Sequence, residues 1–381
     1  MNALAELELV AACAMGLEAI VARELKELGY AEQTVENGRV VFRGDELAVA
    51  RTNLWLRTAD RILVRMGQFT ATTFDELFEG VKALGWAGWI PEDAQFPVEG
   101  RSHKSQLSSV PACQGIVKKA VVESLKQVYG TSWFAETGPR YTIEVSLLND
   151  VATLTLDTTG PSLHKRGYRK LVTEAPLKET LAAALVLLSR WSPQRPLYDP
   201  FCGSGTIPIE AALIGWNIAP GLRREFAAEA WDRLPPELWD DARDEAYDAV
   251  RDDVPLDIAG SDIDSAAIDV AVAAAKAAGL ARELRFRVEP VAAAKPRGDY
   301  GALITNPPYG ERLGDQREAE RALRELGQLL QQLPTWSAFV ISPARQLEHY
   351  MGRKSDKNRK LFNGRIETHF HQFFGPLPPR T

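Results

Sequence analysis

Cysteine is scarce in this 381-residue chain, and the three present, Cys13, Cys113 and Cys202, stand singly. Without a Cys-x-x-Cys pair or a histidine at ligand spacing, the sequence offers neither a zinc site nor a disulfide framework, and no metal is expected. His369 and His371, two of only five histidines, lie two apart, which in a strand merely places both on one face. Long apolar runs are missing as well: none approaches the ~20 residues that span a bilayer, so no membrane association is expected. Residues Met1 to Val10 carry acids where a secretory signal has a basic region, and cytoplasmic residence is the expectation. A surplus of positive charge is the last absence. The formal net charge of −6 counts against a nucleic-acid partner, because affinity for phosphates comes from Lys and Arg. The deficit is uneven, however. Acid concentrates between Glu225 and Asp253, whereas the stretch from Arg345 to Arg365 holds seven cations, Arg353 and Lys354 among them, against Glu348 and Asp356. A local basic surface is therefore available.

The length exceeds the usual ~100 to 200 residues of one domain, so two or three compact units are expected. Leu17, Ile20, Val21, Leu25 and Leu28 recur at helical spacing before Gly29, which predicts a helix over 15–28. Strand-like stretches at Ala5 to Ala12 and Arg39 to Phe42 complete a first α+β unit. A second helix is predicted over Gln114 to Tyr129, stopped by Gly130. Strands at Gln95 to Gly100, Tyr141 to Leu148 and Val151 to Leu156, the last two joined by an Asn149-Asp150 turn, make a second α+β unit. From about residue 175 short apolar strands alternate with helical stretches, the pattern of a parallel sheet covered on both faces. Its strands are Leu197 to Tyr198, Leu256 to Gly260, Leu284 to Val288, Ala302 to Thr305 and Ala338 to Ser342, with helices at Ser265 to Ala278 and Arg317 to Leu333. At the end, Lys360 to Phe362 and Arg365 to Phe374 flank Asn363-Gly364, a hairpin signal that closes the sheet with an antiparallel pair. A Trp-bearing, acidic segment over 217–254 fits no strand and reads as an insertion after the first crossover helix.

Asp199-Pro200-Phe201-Cys202-Gly203-Ser204-Gly205-Thr206 follows the first of these strands and opens a helix, where an open α/β sheet places its ligand crevice. Gly203 and Gly205 let the backbone approach a ligand closely. A dinucleotide site and an S-adenosylmethionine site compete. Pro208 holds the place of the third glycine of the dinucleotide fingerprint, and an acid at Asp199 suits the ammonium of a methionine moiety better than a pyrophosphate. The loop is thus expected to bind S-adenosylmethionine. After the second strand, Asp262, beside Ile263, is placed to accept both ribose hydroxyls, while Asp264 suits an N-cap. After the third comes Glu289-Pro290, with Glu289 standing in for an adenine-contacting acid.

Asn306-Pro307-Pro308-Tyr309 follows the fourth strand and so faces the same crevice. An exocyclic amine on a base is a poor nucleophile, because its lone pair is delocalised into the ring. The Asn306 side-chain oxygen and the Pro307 carbonyl are both placed to accept hydrogen bonds from such an amine, turning the lone pair toward the methyl and easing the rising positive charge. Pro307 and Pro308 stiffen the loop, and the Tyr309 ring offers a stacking face. The bland reading is a Pro-rich turn with a packed tyrosine, and the glycine loop upstream weighs against it.

Together with His164-Lys165-Arg166-Gly167-Tyr168-Arg169, Ala175-Pro176-Leu177-Lys178-Glu179, Ile218 to Leu222 and Asn306 to Leu313, these motifs resemble the THUMP-domain RNA methylases, the family of the bacterial 23S rRNA guanine-N2 methyltransferase. The resemblance spans nearly the whole chain. It implies a ferredoxin-like domain over 1–66, a THUMP RNA-binding domain over 67–160 and a Rossmann-like class I methyltransferase domain over 161–381, its mostly parallel seven-stranded sheet ending in an antiparallel hairpin. It further implies transfer from S-adenosylmethionine to the N2 amine of a guanine in structured RNA, 23S rRNA first and tRNA second. Gly100 to Leu107 resembles the THUMP lead-in, where Arg101, His103 and Lys104, with Lys118 and Lys119, suit phosphate contacts as well as a plain solvated face. Lys165, Arg166, Tyr168 and Arg169 mix cations with an aromatic ring, a composition that favours RNA tracking over a passive linker. Methylation of adenine N6 or of a glutamine amide would use the same tetrapeptide. The THUMP-like half argues against both, and the intact Asp199, Gly203, Gly205 and Asn306 argue against a vestigial RNA-binding module. No obligate protein partner is implied.

Overall fold

The computed structural model describes residues 6–169, 177–310 and 315–379. They divide into two compact units: Ala22–Leu163 with the residues up to Cys13 and with Glu225–Glu245, and His164–Arg224 with Ala14–Val21 and the residues from Ala246 onward.

The first unit is built on β1 (Leu7–Cys13), β2 (Gln33–Glu36), β3 (Arg39–Gly44), β4 (Ala59–Thr70), β5 (Val98–His103), β6 (Thr142–Leu148) and β7 (Val151–Asp157), in the order β2-β3-β1-β4-β7-β6-β5. Its pairs are antiparallel except the parallel β5–β6. Both α+β units foreseen from the sequence share this one sheet, because the twelve-residue β4 pairs with β1 on one side and β7 on the other. The β4–β7 register shifts between Arg65 and Gly67, within the continuous strand β4. The β6–β7 hairpin turns at Asn149-Asp150, both at positive φ (51° and 62°), the pattern that a type I′ turn demands. The strand expected over Gln95 to Gly100 starts later, at Val98: Pro97 has no N–H to give a ladder, and Gln95 makes only an isolated bridge. The helix expected from Gln114 begins at Val110, with Pro111 tolerated in its first turn, and ends on Gly130 at φ 68°. The helix expected over 15–28 occupies Glu18–Glu27. Helices Glu46–Trp55 and Phe74–Lys82 were not foreseen, although Thr73 and Glu76 form a complete capping box for the second.

The acidic insertion acquires a role here. Its central part, Glu225–Glu245, belongs to this first unit. Trp231 stacks on Tyr141 with centroids 4.4 Å apart, Arg233 reaches Glu46 at 3.0 Å, and Arg51 grips Glu245 with two bonds of 2.7 Å. Stacked rings and bidentate guanidinium pairs favour one fixed seat.

The second unit carries β8 (Leu197–Asp199), β9 (Ile258–Asp262), β10 (Leu284–Val288), β11 (Ala302–Thr305), β12 (Ser337–Ser342), β13 (Lys357–Asn363) and β14 (Ile366–Phe373), in the order β10-β9-β8-β11-β12-β14-β13. The first five are parallel, and β14 runs antiparallel between β12 and β13. Every residue of β11 and β12 is buried, as expected of strands covered on both faces. Asn363 pairs with Ile366, so the hairpin loop is Gly364-Arg365, one residue later than the Asn363-Gly364 expected. Only Gly364 takes a positive φ (63°), which suits a type II′ turn with glycine first. Among the described residues no helix is long and apolar enough to cross a membrane.

Candidate active site

Strand order alone brings the ends of β9, β8 and β11 side by side. Chain direction across the sheet reverses between β8 and β11, the place where open α/β sheets form a crevice. The loops leaving these strands line a cleft of about 640 Å³ that holds Asp199, Phe201, Cys202, Gly203, Ser204, Thr206, Asp262, Ile263, Asn306 and Pro308. Asp199 ends β8 and is buried. It accepts hydrogen bonds from the Thr305 hydroxyl at 2.6 Å and the Phe201 N–H at 3.1 Å. Burial pushes its carboxyl up to about 7, opposed by those two bonds and reinforced by the charge of Asp262.

Gly203 and Gly205 stand at φ 49° and 78°. A Cβ on Gly205 would lie 2.9 Å from the Phe286 ring and 3.0 Å from Ala271, so only glycine fits that turn. Gly205, Pro307 and Tyr309 stand outside the cleft lining, beside lining residues Thr206, Asn306 and Pro308. Asp262 accepts the Gly203 N–H at 2.9 Å and the Asp264 N–H at 3.0 Å, which aims its carboxylate across the glycine loop. Asp264 caps the helix Ser265–Ala277 through the Ala266 N–H. Ile263 is 72% exposed at the rim and offers an apolar face to a base. The Cys202 thiol is driven well above its ordinary range by burial and by Asp199 and Asp262, which leaves it an inert wall. The cleft thus presents a buried carboxylate, a second carboxylate aimed across the glycine loop and an apolar rim, a set of groups able to receive S-adenosylmethionine.

Glu289 is not brought into this cleft. Its carboxylate accepts the Tyr198 hydroxyl at 3.0 Å and lines a separate groove, while Pro290 and Val291 form the cleft wall. Glu289, expected to contact adenine, therefore stands outside the cleft lining. Sequence reading also missed Thr305, which holds Asp199, and one face of the helix Asp315–Gln331, where Glu318, Arg321, Ala322 and Glu325 line the cleft. Their i, i+3, i+4, i+7 spacing was a signal that could have placed them on one side.

Asn306 follows directly on β11. Its side-chain oxygen accepts the Tyr309 hydroxyl at 2.6 Å, and that hydroxyl in turn accepts from Asn363 Nδ2 at 3.4 Å. The group expected to receive a substrate amine is thus held by Tyr309, and an incoming base would exchange partners with it. Glu311, Arg312 and Leu313 lie outside the described residues, as do Ala175 and Pro176.

The cationic segments divide sharply. Arg101, His103 and Lys104 are exposed along β5 and just beyond it, and Lys165, Arg353 and Lys354 are exposed in the second unit, with Arg353 paired to Asp356 at 2.8 Å. Lys118 is engaged with Glu136 at 2.6 Å and with the Phe96 ring. Arg166 and Tyr168 correct the sequence reading. Both are buried, reaching Glu210 at 3.4 Å and 3.0 Å, because Glu210 on the helix Thr206–Gly215 is itself fully buried and needs partners. Arg169 also turns inward, donating to the Thr206 hydroxyl and the Leu177 carbonyl beside Glu179. Burial pushes the Glu179 carboxyl up to about 7 against the pull of Arg169. Through these bonds the three residues brace the cofactor loop from behind, while Arg166 and Arg169 also line a second pocket with His164, Lys165 and Lys178. His371 is buried and meets Ser355, His369 meets Asn358, and no metal-holding cluster exists among the described residues.

A family model described as the RMKL-like methyltransferase domain matches residues 166–372, an RlmL ferredoxin-like domain matches residues 8–63, and a THUMP domain matches residues 71–157. A Bacillus subtilis (strain 168) protein named "Putative RNA methyltransferase YpsC" is 50% identical over 98% of this chain and 97% of its own. A crystal structure from Listeria monocytogenes str. 4b F2365, described as a "predicted N6-adenine-specific DNA methylase", is 52% identical with a TM-score of 0.94, covering 98% of this chain and 97% of that one. The structure of SMU.472, described as a "putative methyltransferase complexed with SAH", is 45% identical with a TM-score of 0.93, covering 98% and 99%. The chain belongs to the RMKL-like methyltransferase family, with a ferredoxin-like and a THUMP domain ahead of its class I methyltransferase fold.

Proposed function

We propose that the chain is an S-adenosylmethionine-dependent RNA methyltransferase that forms N2-methylguanosine, with 23S rRNA as its substrate. The observation that carries this reading is the single cleft in which Asp199, Asp262 and Asn306 stand together. The bound cofactor supplies an electrophilic methyl group on a sulfonium centre. Asp199 offers its ammonium a buried counter-charge, Asp262 receives its ribose hydroxyls, and Ile263, Pro290 and Val291 flank the adenine. On the acceptor side, the Asn306 oxygen and the Pro307 carbonyl accept hydrogen bonds from the amine and direct its lone pair. The Tyr309 ring offers the base a stacking face. Neither a metal nor a strong general base is required of the chain.

RNA as the substrate class is supported by the THUMP match and by the name carried by the Bacillus relative. In this reading residues 1–66 and 67–160 engage RNA, through Arg101, His103 and Lys104 among others, and residues 161–381 carry the transfer, with Lys165, Arg353 and Lys354 as further phosphate contacts. Kinship of the first domain with RlmL supports guanine N2 in ribosomal RNA. A guanine in tRNA is the nearest rival. Adenine N6 is the next, since it presents the same planar amine and the Listeria relative is described in those terms. Replacing Asn306 by Ala is expected to lower the transfer rate by about 10²-fold or more while cofactor affinity is largely retained. An equally active variant would remove Asn306 from the chemistry.

A further inference from the structure

Between β10 and β11 the chain makes only a three-residue helical turn, Val291–Ala293, so among the described residues no helix covers the outward face of β10. Arg285 and Arg287 project from that strand, and Lys295 and Arg297 from the loop that follows, into one groove. Of its two acids, Asp257 pairs with Arg285, which leaves Glu289, bonded to the Tyr198 hydroxyl at 3.0 Å, as one carboxylate against three further cations. Arg287, Lys295 and Arg297 are exposed and have no carboxylate partner among the described residues. In a chain of net charge −6, that is a concentrated positive surface.

The loop presenting it is built, not slack. Buried Arg195 donates to the Tyr300 and Gly301 carbonyls, Trp336 donates to the Gly298 carbonyl at 3.0 Å, and Tyr300 N–H donates to Thr335 at 3.2 Å. Tyr300 is held at φ 58°, a region that bulky side chains rarely enter and that persists only where the surroundings impose it. A backbone held in advance at residues 298–301 lowers the cost of ordering the adjoining loop around an anion. The groove also adjoins the cofactor cleft, since Glu289 lines the first while Pro290 and Val291 line the second.

We propose that this groove is a phosphate-binding surface that grips the sugar-phosphate backbone of the substrate RNA next to the cofactor cleft, an inference that rests on the RNA-directed function proposed above. Planar guanidinium groups match phosphate oxygens in pairs, and contacts to phosphate contribute to affinity and register, not to sequence choice.

The test is the double variant Arg287→Gln/Lys295→Gln in the full chain, titrated with deproteinised ribosomal RNA and, separately, tRNA between about 50 and 200 mM salt. The expected result is weaker RNA binding at every salt concentration, with the slope of log affinity against log salt shallower by about two, one for each lost phosphate contact. S-Adenosylmethionine affinity and the thermal midpoint stay at wild-type values. Arg297→Gln, on the loop alone, carries the test if the strand variant fails to fold, with an expected slope change of about one. Wild-type affinity and slope in the folded variants would overturn the groove while leaving the RNA reading intact. Failure of the wild-type protein to bind either RNA would overturn that reading, and the groove with it.

Discussion

Residues Arg101 to Lys104 and residues His164 to Arg169 look alike in composition, each a short run of cations with a histidine, yet they fold to opposite purposes. The first lies along β5 and the turn after it with Arg101, His103 and Lys104 in solvent. Among the cations of the second only Lys165 stays in solvent: Arg166 and Tyr168 meet Glu210, and Arg169 meets Glu179 and Thr206. The difference comes from what lies elsewhere in the chain. Glu179 and Glu210 are buried acids on helices that follow the second run, and a buried carboxylate calls for nearby cations. Cation density alone therefore does not mark an RNA surface, and the acids that would claim those cations must be counted first.

The comparison breaks most readily at Glu210. Glu210→Ala leaves Arg166 buried without its carboxylate and should lower stability by about 3–5 kcal/mol, as read by urea unfolding. The same measurement on Arg101→Ala should change by no more than about 0.5 kcal/mol. Equal effects at the two positions would erase the distinction drawn between the segments.

The next largest effect concerns the loop that the inward segment braces. Asp199→Asn removes the counter-charge offered to the cofactor ammonium and should weaken S-adenosylmethionine binding at least tenfold by calorimetry, since a hydrogen bond to a charged group is worth about 1.5–3 kcal/mol. Wild-type affinity in that variant would point to a different anchor for the cofactor.

Acidity sharpens the same point. With its carboxyl pushed up to about 7, Asp199 is protonated below neutrality in the cofactor-free protein, and the ammonium selects its ionised form. Cofactor affinity should therefore fall about tenfold for each pH unit below 7 and level off above it, with a proton released on binding at acid pH. Asp199→Asn should flatten that profile. An unchanged slope in the variant would assign the titration to another group.

The smallest effect belongs to the outward segment. Arg101→Gln combined with Lys104→Gln should leave folding and cofactor binding untouched and make the salt dependence of RNA binding shallower by about two. An unaltered slope would make this edge a plain solvated face.

What could be read in the sequence followed from local rules. The β-strands of the second unit, Gly203 and Gly205 in left-handed backbone and the Asn149-Asp150 turn all express preferences carried by the residues themselves. The features missed depend on distant partners. Glu289 was assigned to adenine by position along the chain, but the Tyr198 hydroxyl, 91 residues earlier, draws it to the other groove. The acidic insertion had no legible role, because Trp231 finds Tyr141 and Glu245 finds Arg51 only in the folded unit. The hairpin slipped by one residue since Gly364 satisfies either turn register, and the β13–β14 ladder decides between them. Asn306 was legible as a candidate from its motif, whereas its engagement with Tyr309 was not.

The central claim, methyl transfer to guanine N2 in ribosomal RNA, is tested most directly by nucleoside mass spectrometry on ribosomal and transfer RNA from a strain lacking this protein, with and without restoration of the wild-type chain. The account predicts loss of N2-methylguanosine from the 23S rRNA fraction, regained with the wild-type chain and not with Asn306→Ala. Unchanged N2-methylguanosine in both RNA fractions would contradict it.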